Sequence, residues 1–235
     1  DKVINLGIPH VGELIFESVN TPELFQCALV SETWRILAEN VLIKRWKGKM
    51  FEACKSGETK VVQLLLERCN SEESGLNIKD EDGMTAFMSA CANGHKDVVQ
   101  LLLDYSDSNI DVNAKNTYGW TAFMYICYNG HKDVVQLLLD LNDSRIELNA
   151  KVNVFNCTAL HLACMDGHKD VVQLLLDHSE SNIELNAKDE FGGTAFWMAC
   201  CHGRKGVVKL LLDHYERIDL NARDNDGETA FMIAC

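Results

Sequence analysis

Proline is almost missing from this chain, with 2 residues in 235, and cations are outnumbered, 22 Lys and Arg against 35 Asp and Glu. The net charge of −13 is interrupted only by the short stretch Lys44, Arg45, Lys47, Lys49. A nucleic-acid groove needs many cations on one face, so no nucleic-acid partner is expected. Long apolar runs are missing too. None approaches the roughly 18 residues that span a bilayer, and no stretch reads as a signal peptide, so no membrane partner is expected. What is present is a folding composition: 47% hydrophobic and 24% charged, too apolar for a disordered chain and long enough for a substantial core.

The 10 cysteines suggest a disulfide framework until their positions are read. Six of them, Cys54, Cys91, Cys127, Cys164, Cys200 and Cys235, recur every 35 to 37 residues, each behind Ala or Ile. A thiol once per unit is a packing choice, because free Cys behaves as a compact hydrophobe. No pair has CxxC spacing, so no metal site is expected. Unpaired thiols at this density point to a reducing compartment, cytoplasm or nucleus.

The same period governs the rest of the chain. The segment GHKDVVQLLLD stands unchanged at 94–104, 130–140 and 167–177, with a looser copy from Gly203 to Asp213 and a diverged one from Gly57 to Glu67. Thr-Ala recurs at Thr85, Thr121, Thr158, Thr194 and Thr229, at spacings of 36, 37, 36 and 35. Such self-similarity marks a solenoid, whose units bury their apolar faces only by stacking.

Within a unit, Thr85 is placed to cap a helix running to Asn93, and Gly94 ends it with a cheap left-handed residue. Asp97 opens a second helix on the favourable side of its dipole. Val98, Val99, Leu101, Leu102 and Leu103 make that helix apolar almost all round, which predicts burial between neighbours. Ile110-Asp111-Val112-Asn113 alternates like a short strand, and Asp80-Glu81-Asp82-Gly83 reads as a tight turn.

Helix, turn, helix and hairpin in this order resemble the ankyrin repeat. The resemblance covers Gly48 to Cys235 and is carried by Asp189 to Thr194, Ala199, Gly203, Val207 to Leu212 and Leu220-Asn221-Ala222. The family's helix-opening Pro is Ala at 86, 122, 159, 195 and 230. Its His survives only at His161, with Met88, Met124, Trp197 and Met232 elsewhere. Extra residues such as Ser106-Asp107-Ser108 lengthen the loop before the hairpin, and Asn156 replaces a turn Gly, which Asn tolerates. The resemblance implies an all-α dominated solenoid with a hairpin per repeat. Its units run 48–79, 80–115, 116–152, 153–188, 189–223 and, in part, 224–235. The last stops inside its first helix with no polar cap, so further repeats are expected downstream.

Residues 1–47 lack this frame, and their apolar spacing predicts a separate module of three short helices, with Pro9 and Pro22 near helix starts. Leu14-Ile15-Phe16, Leu24, Val30-Ser31, Trp34-Arg35 and Leu37, with Trp46 behind them, are similar to an F-box. One residue fewer stands between Pro9 and Ile15 than in that pattern. The resemblance implies docking on a Skp-family adaptor, which joins a cullin–RING ubiquitin ligase, through Pro9, Ile15, Leu24, Val30, Ser31 and Trp34. Trp34, with the largest burial, is the expected hot spot, unless it is the core of the helical bundle. The alternative is that these helices merely cap the solenoid.

In ankyrin arrays the hairpin tips and the exposed side of the first helices make a concave binding surface, so positions that vary between units are informative. The residue before the turn Gly is Asp82, Tyr118, Phe155, Phe191 and Asp226, and the one after it is Met84, Trp120, Cys157, Gly193 and Glu228. On the first helices Ala92, Tyr128, Met165 and Cys201 vary. Asp82, Tyr118, Trp120, Tyr128, Phe155, Met165 and Phe191 are therefore the candidate partner-binding residues, with Tyr125 beside them. Aromatics suit recognition because they bury large areas at low conformational cost, although tip aromatics also pack on neighbouring hairpins. The acidic margin favours a partner carrying Lys or Arg. Trp197, in the place of a mostly buried His, reads as core.

No catalytic residue is expected. Cys200, Cys201 and His202, and His161 with Cys164, lack a third group to orient a base, and no phosphate-binding Gly loop or HExxH is present. No cofactor is implied. Two functions remain: a ligase substrate receptor, or an ankyrin scaffold or inhibitor with no ligase role.

Overall fold

In a computed structural model of the chain, residues 48–68, 76–105, 110–140, 146–178 and 183–234 are described. Pro9, Ile15, Leu24, Val30, Ser31, Trp34 and Trp46 of the N-terminal module lie outside them, as do Ser106-Asp107-Ser108 and Cys235. The described residues form eleven short helices. They are α1 (48–56), α2 (Thr59–Arg68), α3 (Ala86–Ala92), α4 (Lys96–Asp104), α5 (Ala122–Tyr128), α6 (Lys132–Asp140), α7 (Ala159–Asp166), α8 (Lys169–Asp177), α9 (Ala195–Cys201), α10 (Lys205–Asp213) and α11 (Ala230–Ile233).

Local chemistry sets these boundaries. Thr85, Thr121 and Thr194 accept a hydrogen bond from the backbone N–H three residues on, at 3.2, 3.3 and 3.3 Å, satisfying an orphan donor of the first turn. The thioethers of Met88 and Met124 reach back to the N–H of Thr85 and Thr121, at 3.4 Å each, closing a capping box in which sulfur does the work of a Glu or Gln oxygen. The outer helices open with Asp97, Asp133 and Asp170 in their first turns.

The helices stack in two rows. The inner row is α3, α5, α7, α9 and α11, each packed on the next, and the outer row is α2, α4, α6, α8 and α10. Ala86 to Cys91 of α3 and Ala159 to Cys164 of α7 are wholly buried, whereas Tyr125 of α5 and Trp197 of α9 are half-buried and Phe231 of α11 is exposed. Cys54, Cys91, Cys127, Cys164 and Cys200 sit in that core. In α4, Val98, Val99 and Leu102 are buried but Leu101 and Leu103 are only half-buried, because the outer row has one flank toward solvent.

Ile110 and Val112 point inward and Asp111 outward, as the alternation predicts. No strand forms among the described residues, however. The hairpins are fingers closed by turns, and the only bridge among them joins Arg223 to Thr229. Each finger bonds to the next by single contacts rather than along a ladder.

Four sets of hydrogen bonds repeat along the stack. His95, His131 and His168 donate from Nε2 to the carbonyls of Lys55, Ala92 and Tyr128 of the preceding unit, at 2.9, 2.8 and 2.7 Å. Arg204 does the same from Nε to Met165 at 2.6 Å. The side-chain oxygens of Asn77, Asn113, Asn149 and Asn186 accept from the N–H of Asp111, Glu147, Glu184 and Asp219, at 2.8 to 2.9 Å. Lys79, Lys151 and Lys188 donate to the carbonyls of Lys115, Lys188 and Arg223, at 2.7 to 3.0 Å. Tip carbonyls make the fourth set.

Candidate protein-interaction surface

Each finger is built from its first side chain. Oδ1 of Asp80 accepts from the N–H of Asp82 and Met84, at 3.0 and 2.8 Å, which folds the turn back on itself. Asn116, Asp189 and Asp224 do the same in their units. The third of these five fingers has Val152 there and no such acceptor. Its turn is one residue longer, closed by Asn156 N–H to the carbonyl of Val152 at 3.2 Å, with Asn156 left-handed at φ +53°. That residue accounts for the single spacing of 37 between the capping threonines.

The tips are registered by backbone bonds. The carbonyls of Asp82, Tyr118, Phe155 and Phe191 accept from the N–H of Thr117, Asn153, Glu190 and Asn225 on the following finger, at 3.0, 3.3, 2.9 and 2.8 Å. Residue for residue, Phe155 therefore stands where Tyr118 and Phe191 stand despite the inserted residue. The three side chains are 60%, 52% and 57% exposed, and Val154 beside Phe155 is exposed as well. Asp82 and Asp226, on the fingers at either side, are exposed too.

The candidate residues fall into two groups. Phe155 and Phe191 pair with ring centroids 6.2 Å apart and planes tilted by 31°. They are exposed and also pack on each other across neighbouring fingers. Trp120 contacts Tyr125 at 4.9 Å and Tyr128 edge-on at 5.2 Å, all within one unit and all half-buried. Tyr125 donates no charge to this cluster: burial, then the carboxylates of Asp82 and Asp80, push its phenol pKa up, while Asn116 Nδ2 donates to its oxygen at 2.9 Å. Tyr118 has no ring contact among the described residues, and Met165 is half-buried on α7.

The inner-helix positions that vary, Ala92, Tyr128 and Met165, are the ones whose carbonyls receive the His or Arg of the next unit. A backbone acceptor leaves the side chain unconstrained, which is why these positions can differ. The His of GHKDVVQLLLD and the Asn ahead of Ala114, Ala150, Ala187 and Ala222 recur in the sequence, which does not show the bonds they make across units. Only the recurrence of these residues at one place in each unit was visible in the sequence.

Trp197 is half-buried rather than core. Its ring lies over Gly193, where a Cβ would come within 3.1 Å of Cε3, and its Nε1 is buried with no partner in the structure. In this unit the indole stands on the helix, whereas Trp120 stands on its finger. At the equivalent place in the preceding unit stands His161: its Nδ1 accepts from the N–H of Thr158 at 3.2 Å and its Nε2 donates to the Gly193 carbonyl at 3.3 Å. Burial lowers its pKa.

The buried thiols are held in their protonated, unreactive form. Burial pushes Cys54 up to about 12 and raises Cys91, Cys127 and Cys164 further. Cys200 is raised by burial and then by Cys201, while His202 donates from Nδ1 to the carbonyl of Met198 at 3.0 Å and so closes its own helix. Among the described residues no group of three or more His, Cys, Asp or Glu is placed to hold a metal, and no helix is long and apolar enough to cross a membrane.

The family model described as Ankyrin repeats matches three stretches, residues 47–116, 108–189 and 181–235. The chain belongs to the ankyrin-repeat family. Ahead of these repeats, the model described as F-box domain matches residues 9–46. The chain is thus an F-box domain followed by ankyrin repeats, both of them modules of protein interaction. Comparison with curated proteins finds no match.

Proposed function

We propose that this ankyrin-repeat chain is the substrate-recognition subunit of a Skp–cullin–F-box ubiquitin ligase. One observation carries the reading: an F-box domain at 9–46 precedes a stack whose consecutive fingers expose Tyr118, Phe155 and Phe191. The F-box would dock a Skp-family adaptor through Pro9, Ile15, Leu24, Val30, Ser31 and Trp34. The concave face, with Asp82, Tyr118, Trp120, Tyr128, Phe155, Met165 and Phe191, would hold the target. Any ubiquitin transfer would be carried out by partner subunits. Action in the cytoplasm or nucleus fits the seven described cysteines, which are all free thiols.

A scaffold role with no ligase has one observation in its favour. The first unit presents Val61, Leu64 and Ile78 to solvent and a hollow of about 370 Å³ lined by Gly48, Met50, Phe51 and Ile78, an apolar end that an N-terminal cap would cover. Co-purification with a Skp-family adaptor separates the two. The native chain is expected to retain the adaptor, and a Val30→Ala, Trp34→Ala variant with unchanged circular dichroism to lose it. A folded native chain that leaves the adaptor unbound at micromolar concentration overturns the receptor reading.

A further inference from the structure

The exposed apolar row Tyr118, Val154, Phe155 and Phe191 occupies three consecutive fingers. Its neighbours at each end are acidic. The finger before Tyr118 carries Asp80, Glu81 and Asp82, all exposed, and the finger after Phe191 carries Asp224, Asp226 and Glu228. The cations of these fingers sit at their bases. Lys79, Lys151 and Lys188 each hold a carbonyl of the next unit, Arg223 donates to the carbonyl of Gly227 in its own finger, and Lys115 stands exposed at the base of the Tyr118 finger. The tips therefore read acid, aromatic, aromatic, aromatic, acid, in a register fixed by the carbonyl bonds from finger to finger. The field of the first acidic finger reaches the neighbouring unit, since Asp82 and Asp80 both raise the phenol of Tyr125.

We propose that the finger row binds one extended segment of a protein partner, with apolar or aromatic side chains at its centre and Lys or Arg toward both ends. The inference rests on the reading that these fingers hold the target. Charge complementarity selects the occupant: an acidic or uncharged segment would meet like charge or leave both acidic ends unpaired. Four steps between fingers at the spacing of packed helices, 8–10 Å, cover about 35 Å. An extended chain at ~3.3 Å per residue crosses that in about ten residues. The cations of the partner segment therefore lie about ten residues apart, with the anchor between them over the Phe155–Phe191 pair.

The test uses the full chain as bait for a random dodecapeptide display library, with the enriched sequences read out and the leading peptide titrated by fluorescence anisotropy. The expected consensus has basic residues toward both ends and an apolar centre. A Phe155→Ser, Phe191→Ser variant of unchanged melting temperature should weaken that peptide at least tenfold. An Asp80→Asn, Asp82→Asn, Asp226→Asn variant should weaken it several-fold at low salt and flatten its salt dependence, while Asn116 shows that Asn at the first position preserves the turn. No enrichment, a consensus without basic residues, or indifference to the Phe155→Ser, Phe191→Ser variant overturns the inference. Adaptor co-purification on the same preparations keeps the two readings apart. Adaptor binding without a basic consensus sinks only this inference, and a basic consensus without adaptor binding sinks only the ligase role.

Discussion

His168 donates from Nε2 to the carbonyl of Tyr128 at 2.7 Å, and its ring lies where a Cβ on Gly130 would stand, 2.4 Å from Nδ1. One imidazole thus fills the space left by a glycine and ties off a helix end in the preceding unit. The bond recurs at His95 and His131, and Arg204 replaces it with a guanidinium.

Removing that tie should cost what a half-buried hydrogen bond and its packing are worth. His168→Ala is expected to lower unfolding free energy by about 1–2 kcal/mol, while His168→Arg, which copies Arg204, should cost less than His168→Ala. Gly130→Ala should be the worst of the three, since its φ is +74° and the added methyl meets the ring. Urea denaturation of the three variants orders them.

The pH dependence of stability has a contribution from His161. Its folded pKa lies below the ordinary value, because burial opposes the charge and Nδ1 must stay unprotonated to accept from Thr158. The unfolded chain then binds the proton first, so stability is fully present above about pH 6.5 and falls as pH drops toward the folded pKa. His161→Met, the residue used at Met88 and Met124, should flatten the decline in melting temperature between pH 7 and 5. A variant as pH-sensitive as the native chain would contradict this.

Thiol reactivity should single out one described cysteine. Cys201 is exposed, whereas Cys54, Cys91, Cys127, Cys157, Cys164 and Cys200 are buried, with Cys157 pushed up to about 11. Iodoacetamide on the native chain, followed by peptide mass mapping, should label Cys201 well before these six. Urea should bring them to similar rates.

Among the described residues, the indole Nε1 of Trp197 is a buried side-chain donor without a partner. Trp197→Phe removes the orphan donor and most of the ring's contacts stay. An unmade buried hydrogen bond costs about 1–3 kcal/mol, against a smaller loss of buried area, so the variant should be within about 1 kcal/mol of native stability or above it. A loss of 3 kcal/mol or more in chemical denaturation would mean that the N–H is satisfied in solution.

At Asn156 the backbone is left-handed without being glycine. Asn156→Gly should raise stability by about 0.5–1 kcal/mol, and Asn156→Val should lower it by more, because a β-branched residue resists positive φ. Differential scanning calorimetry gives both signs.

Much of the fold is legible because it is written once per unit. The Thr caps, the Gly after each inner helix, the first-turn Asp and the recurrent Cys each rest on contacts within a few residues or on a position repeated five times. The strand expected from Ile110 to Asn113 did not follow, since alternation fixes which side chains point inward but not whether a neighbouring backbone lies alongside. Trp197 read as core because its frame position is a buried His. Gly193 beneath it, the residue that decides where the ring goes, was a separate variable position.

The sequence by itself determined the period, the helix boundaries, the family and the seven residues worth testing as a binding surface, since these follow from local propensity and repetition. Only the tertiary structure decided which candidates stand together. The pairing of Phe155 with Phe191, the knot of Trp120 with Tyr125 and Tyr128, and the isolation of Tyr118 depend on the registration of one finger against the next. That registration is set by carbonyl and imidazole bonds between residues 34 to 40 positions apart. Hydrogen bonds at such separation have no local signature, because their geometry exists only after neighbouring units have stacked.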